Sequence, residues 1–260
     1  MRGGRYRRDG SGTVRLVGEL RRYIEEREAA RTRGLERGGG AALLRRVSPF
    51  GLRQAAKVEG TVLIAPSERR KAGRLLAAAQ PLRLHLGAGT HRLPGWVNVD
   101  VLGMAPDLHW DLRRRLPFPD GAAEAVFLEH VLEHFTLADG LDLLEECRRV
   151  LRPGGIVRVG VPDFGRYLVS YAGDGEFVER LRPGRPTRLI AVGEVALGHG
   201  HRSVWDGETL ELALTEAGFT DVRCRLFGDS ALAPAPDNPA REPETVYAEG
   251  TRTDGLTAPR

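Results

Sequence analysis

Apolar and polar positions along this chain follow two periods, and the change from one to the other divides it. In residues 13–30, Val14, Val17, Leu20 and Ile24 recur at helical spacing and predict an amphipathic helix, which the glycines at 38–40 end. Residues 1–12 have no such period and read as frayed. Residues 41–80 read ambiguously: TVLIA (61–65) can form a short strand, and Ser67 can cap a helix running to about Ala79. From Pro81 onward, short apolar runs end in small or acidic residues. LRLHLGAG, WVNVD (96–100), DLHWD (107–111) and EAVFLE (124–129) predict four strands. Thr136 with Asp139 three residues on predicts a helix start. Leu137, Leu141, Leu144 and Leu151 line one face of that helix, and Pro153-Gly154-Gly155 stops it. IVRVGV (156–161), a helix over about 207–217, DVRCRLF (221–227) and TVYAEGTR (245–252) complete the pattern. Strands alternating with helices predict an α/β fold, a parallel sheet with helices on its faces.

Composition narrows this picture. With 260 residues and 41% hydrophobic content, the chain can bury an ordinary core, so a mostly disordered protein is excluded. No apolar run of about 18 residues predicts a membrane-spanning helix. MRGGRYRRDG is basic without an apolar stretch behind it, which argues against a secretory signal. Cys147 and Cys224 lie in no CxxC pair, so neither a disulfide framework nor a zinc cluster is expected, and a cytoplasmic location follows. Residues 1–80 hold 19 Lys and Arg against 8 Asp and Glu, whereas the remaining 180 hold 20 against 27. The basic part nevertheless mixes both signs, as in EEREAARTRGLER. That pattern reads as a solvated helical face and counts against nucleic acid. The chain thus divides into a basic, mainly helical extension (1–80), a main domain (81–253) and a tail (254–260).

Ligands of such sheets bind beyond the carboxyl ends of the strands. The residues there are Gly87-Ala88-Gly89, Asp100, Asp111, Glu129-His130 and Pro162-Asp163. Acidic and imidazole groups recurring along one edge suit a cleft better than a structural rim. A lone Gly-x-Gly is equally a turn or a cofactor loop. An acidic residue ending the next strand, Asp100, can accept both hydroxyls of a ribose, or can simply cap a loop. Two features count against a dinucleotide. Arg92 stands where a third glycine would pack a helix, and only THRLPG separates Gly89 from Trp96, too short for the crossover helix whose N-terminus holds a pyrophosphate. S-adenosylmethionine has a nucleoside and no phosphate.

The ordered series LHLGAG, GWVNVD, LPFPDG, AVFLEHVLEH, RRVLRPGG and VPD resembles the class I S-adenosylmethionine-dependent methyltransferases. More narrowly, it is similar to a small bacterial branch with a shortened loop after the glycine turn. The resemblance covers about 82–252. It implies a Rossmann-like, doubly wound, seven-stranded sheet in the order 3-2-1-4-5-7-6, with 245–252 as the antiparallel seventh strand. It also implies that Gly87, Ala88 and Gly89 border the methionine part of the cofactor. Asp100, with Val101, would hold the ribose; Asp111, with Leu112, would meet the adenine amine; Glu129 and His130 would lie beside the sulfonium.

Methyl transfer from a sulfonium needs alignment, and a hydroxyl acceptor also needs a base. All seven histidines fall between 85 and 201. His85 lies inside the first strand and reads as a packing residue; His91 and His109 have no assigned purpose. His130 is the candidate base, with His201 and Asp163 as further candidates on the acceptor side. Glu133 and His134 read as residues bracing a helix. Some relatives that methylate phenolic rings bind magnesium at those two places, but the neighbouring acidic position here is His130, and the sequence assigns no metal. Tyr167 and Tyr171 read as packing residues. The expected activity is O-methylation of a small molecule or sugar, with a homodimer as the protein assembly considered. The alternatives are an RNA methyltransferase using the basic extension and a non-catalytic partner protein of the same fold.

Overall fold

The computed structural model describes residues 22, 26, 50–78, 81–101 and 106–253. The expectations for 1–12, 13–30, 38–40 and 254–260 lie outside these residues, apart from helical Arg22 and Glu26. The elements are α1 (Phe50–Ala78), β1 (Leu82–Leu86), β2 (Val97–Asp100), β3 (Leu108–His109), β4 (Ala123–Glu129), a 3-10 turn (Leu132–His134), α2 (Leu137–Val150), β5 (Leu151–Pro162), α3 (Phe164–Ala172), α4 (Glu176–Leu181), α5 (Arg188–Leu197), α6 (Gly207–Glu216), β6 (Thr220–Arg225) and β7 (Thr245–Thr251). The strands form one sheet in the order β3-β2-β1-β4-β5-β7-β6. β7 runs antiparallel to both of its neighbours and every other pair is parallel, as the resemblance implied.

Register explains the two faces of this sheet. Val99, Leu86, Leu128, Val159 and Ala248 stand side by side across five strands, all pointing one way. They are buried with Leu143, Leu144, Cys147 and Val150 of α2 and Leu210 and Leu214 of α6. One residue out of step, Asn98, His85, Phe127, Arg158 and Glu249 form the parallel row on the opposite face. A strand's side chains alternate between faces, so this second row is directed away from α2 and α6.

Loops roof the second face. Between β1 and β2, the Trp96 ring lies 6.3 Å from Phe127 and the His91 ring 6.1 Å from His85. Asn98 pins that loop: its side chain accepts from Leu93 N and donates to the carbonyls of Leu93 and Trp96. The short connection therefore does a crossover helix's covering work without the helix. Over β5 and β7, the segment 226–238 is held by Arg158. Its guanidinium donates to both Asp237 oxygens at 2.5 Å, to Glu249 at 2.9 Å and to the carbonyls of Leu226 and Asp229. It also lies 4.7 Å from the centre of the Tyr247 ring.

Four expectations need correction. TVLIA is not a strand and Ser67 caps nothing; both lie inside α1. Leu63 is 86% exposed, and α1 reaches the core through Ala72, Leu75 and Leu76. An apolar run of five has no period of its own, and the helix-forming RRKAGRLLAAA that follows carries the helix through it. Secondly, α2 ends at Val150, and Leu151 to Gly155 already belong to β5. Pro153 disfavours helix at the residue before it, and Gly154 turns at φ 75°. The buried face of α2 is therefore Leu143, Leu144, Cys147 and Val150, with Leu137 exposed. Thirdly, the third strand shrinks to two residues. Fourthly, α3, α4 and α5 were not anticipated. They form a small insert packed around Tyr167, Phe177, Val178, Ala191, Val192 and Val195. Tyr167 is buried there as expected, while Tyr171 is 38% exposed.

Candidate functional site

The carboxyl end of the sheet is built from the glycine turn outward. Gly87 has φ 71°, and a Cβ there would lie 2.3 Å from Val131 Cγ2. Only glycine allows Val131, beyond the end of β4, to pass so close. Gly87 N and Ala88 N both donate to Val99 O, at 2.8 and 3.1 Å. Gly89, at φ 54°, donates its N–H to Asp100 Oδ2 at 2.8 Å. The turn and the end of β2 are thereby joined, with Asp100 half-buried beside Gly89. Val101 follows, half-buried, and residues 102–105 lie outside those described.

Asp111 is buried, but a guanidinium engages its carboxylate. Arg113 donates from its backbone N and Nε to Oδ1 and from Nη2 to Oδ2. Burial pushes this carboxyl up, and Arg113 with Arg114 more than offsets it, so the group stays below the usual carboxylate range. Leu112 packs against the core. Glu129 also turns aside. Its Oε1 accepts from Tyr247 Oη at 2.7 Å and from Asn238 N at 3.1 Å, and burial pushes its pKa up. The Tyr247 ring crosses β5 above Gly160, where a Cβ would meet Tyr247 Cε1 at 2.8 Å.

His130 holds a left-handed conformation, φ 54°, immediately after β4. Both ring nitrogens are engaged. Thr245 Oγ1 donates to Arg241 O, so it accepts from His130 Nε2–H at 2.8 Å, and Arg241 Nη1 donates to Nδ1 at 3.1 Å. Burial and the Arg241 charge push its pKa down to about 3. A ring so occupied is poorly placed to take a proton. Asp163 ends β5 and caps α3, its Oδ1 accepting from Arg166 N at 3.0 Å.

Among the candidates, the third acceptor-side residue has a different setting. After α5 the chain turns through His199 (φ 56°) and Gly200 (φ 82°) and docks on the 3-10 turn. Arg202 N and Ser203 N both donate to Glu133 O, and Ser203 Oγ donates to Leu132 O. Docking brings the His201 ring to 5.0 Å from that of His134. His201 Nδ1 donates to Val195 O at 2.6 Å, which leaves Nε2 as the lone-pair nitrogen. Beneath them the Glu133 side chain is 2% exposed, and neither oxygen has a hydrogen-bond partner. Burial pushes this carboxyl up to about 8. One ligand atom from each of Glu133, His134 and His201 lies within 4.8 Å of the others. The sequence did not bring His201 to Glu133, because the contact depends on an insert whose helices left little period to read. Asn98 and Arg241 were also missed, and the only sequence trace of either is an asparagine inside an apolar strand.

One cavity opens at the amino ends of β1 and β2 and another beside the loop after β3. The first, of 680 Å³, lies between the end of α1 and the loop before β2, beside Leu75, Arg83, Trp96 and Asp107; the second, of 280 Å³, lies under Arg113 to Arg115, beside Asp142 and Glu146. No described helix is long and apolar enough to cross a membrane.

Residues 103–159 match the family model of a methyltransferase domain. Over 56 residues the chain is 41% identical to an uncharacterized 37.1 kDa protein in a transposon of Streptomyces fradiae, a stretch of 22% of this chain and 16% of that protein. Among solved structures it is similar to an S-adenosylmethionine-dependent methyltransferase of Thermotoga maritima, at 19% identity and TM-score 0.43, covering 77% of this chain and 97% of that one. It is also similar to one of Archaeoglobus fulgidus, at 14% identity and TM-score 0.43, covering 78% of this chain and all of the other.

Proposed function

We propose that this chain, which belongs to the class I S-adenosylmethionine-dependent methyltransferases and takes S-adenosyl-L-methionine as its cofactor, methylates a hydroxyl of a small molecule or sugar. The observation that supports it most is the 2.8 Å bond from Gly89 N to Asp100 Oδ2. It sets a carboxylate beside a glycine turn at two adjacent strand ends, which suits a nucleoside lying across them. When bound, the cofactor supplies an electrophilic methyl group. The chain's own part is alignment. Gly87 to Gly89 border the amino-acid portion, and Asp100 with Val101 receives the ribose. The adenine lies near Leu112, with Arg113 holding the Asp111 carboxylate out of direct contact. Glu129 and His130, tied to Tyr247 and Arg241, shape the wall beside the reacting carbon rather than exchange protons with the acceptor. The acceptor enters between this wall and the 198–205 loop, where His134 and His201 face it. Its deprotonation is assigned to that side, in place of His130. Within the basic extension, α1 packs on the methyltransferase domain through Ala72, Leu75 and Leu76.

Calorimetry with S-adenosylhomocysteine tests the cofactor site. Asp100→Ala should weaken binding at least tenfold, and an unchanged affinity would remove Asp100 from the ribose. Labelled cofactor offered with sugar and phenol hydroxyls in one series, and RNA in another, tests the acceptor. Label entering RNA alone would overturn the hydroxyl assignment.

A further inference from the structure

We propose that Glu133, His134 and His201 form a binding site for a divalent first-row transition-metal ion of the zinc class. Glu133 stands at the bottom, a carboxylate with two buried oxygens and no hydrogen bond to either. A buried carboxyl without a partner is costly unless a proton or a cation compensates it. The nearest ring does not supply the proton. His130 Nδ1 is 3.5 Å from Glu133 Oε1, but that nitrogen already accepts from Arg241 and presents a lone pair. A cation entering from the open side, where the two imidazoles stand, would compensate Glu133 in place of a proton taken from solvent.

The imidazoles are arranged as ligands require. Val195 O fixes the His201 tautomer by accepting from Nδ1, the kind of outer-shell contact that orients metal-bound histidines. Arg202 N and Ser203 N, bonded to the Glu133 carbonyl, fix the distance between the loop and the 3-10 turn. One donor atom from each of the three residues already lies within 4.8 Å of the other two, so a short rotamer adjustment would gather them around one ion. Glu133 is buried, His201 half-buried and His134 exposed, which gives a rigid base and an open entry. Two imidazoles and one carboxylate suit zinc, cobalt or iron(II), whereas magnesium and calcium select oxygen sets. This also separates the site from the acidic one of the phenolic-ring enzymes, because the third ligand comes from the loop after α5. Three protein ligands leave a coordination position for water or an acceptor oxygen. This proposal depends on the hydroxyl-methylation reading only for what that position would hold.

The test uses the untagged full-length protein, stripped with chelator and titrated with Co2+ and Zn2+. Wild type should bind one equivalent of Co2+ with the visible absorption of a low-symmetry site, and Zn2+ should displace it. Mg2+ at the same concentration should not. His201→Ala should lose the Co2+ spectrum, and Glu133→Gln should weaken affinity at least tenfold. His199→Ala, one loop position outside the ligand set, should retain both. S-adenosylhomocysteine affinity within twofold of wild type shows that each variant is folded, and it reports on the cofactor reading separately. If wild type binds no stoichiometric Co2+ or Zn2+, or if His201→Ala binds as tightly as wild type, the site is not a metal site and Glu133 is a buried neutral acid.

Discussion

The two faces of the central sheet are both buried, yet they are held in different ways. Under α2 and α6 the row Val99, Leu86, Leu128, Val159 and Ala248 is apolar throughout, and fit and area hold it. On the other face Asn98, His85, Arg158 and Glu249 lie under loops, and each is hydrogen-bonded to what covers it or to its neighbour. A helix covers a sheet with an apolar stripe and satisfies its own backbone. A loop offers unpaired amides and carbonyls, so the face beneath it must supply partners. The polar face follows from having roofs without helices.

That contrast can be broken by mutation. Arg158→Ala leaves Asp237 buried without its cation and Glu249 with Arg225 alone, and should reduce unfolding free energy by about 3–5 kcal/mol in urea titration. Leu144→Ala on the apolar face should cost about 3 kcal/mol. If Leu144→Ala proves the costlier of the two, the guanidinium is not what fastens the second roof. Asn98→Ala releases the loop over β1 and should cost about 2 kcal/mol, with Trp96 fluorescence shifting to the red as the ring gains solvent. A spectrum like that of wild type would mean that the loop stays down without its pin.

The smallest expected effect is one of pH. Burial lowers His85 from its ordinary 6.5 to about 4, with the Asn98 hydrogen bond opposing the shift. The unfolded chain therefore takes up a proton below pH 6.5 that the folded one refuses until about pH 4. His85 contributes stability above that window and loses it as pH falls through it. At pH 5.5 the loss is about 1 kcal/mol. Denaturation at pH 7.5 and 5.5 should show it, and His85→Leu should abolish the difference attributable to this ring. An equal pH slope in both proteins would mean that His85 is accessible to protons when folded.

Legibility in the sequence followed the same division. The apolar face was readable because LRLHL and IVRVGV carry it in their alternation and AVFLE in a continuous apolar run. The turn at Gly87 and the carboxylate at Asp100 were readable because glycine and a strand-ending acid mark a strand end locally. His85 was correctly read as internal. The failures share a cause, in that their meaning depends on distant residues. His130 looked like a base until Arg241 and Thr245, more than a hundred positions on, took both of its nitrogens. Nothing local to Glu133 and His134 announces that the loop bearing His201 docks beside them. TVLIA failed for the opposite reason: an apolar run too short to show a period took the conformation of its neighbours.

The insert carrying α3 to α5 leaves the sheet at Asp163 and returns at Trp205, and these two residues pair with each other, with Phe164 N donating to Trp205 O at 2.8 Å. The excursion thus closes on its own stem. Its ends stay put however long or differently folded the intervening polypeptide becomes, so the insert can be exchanged as a cassette while the strands beneath keep their register.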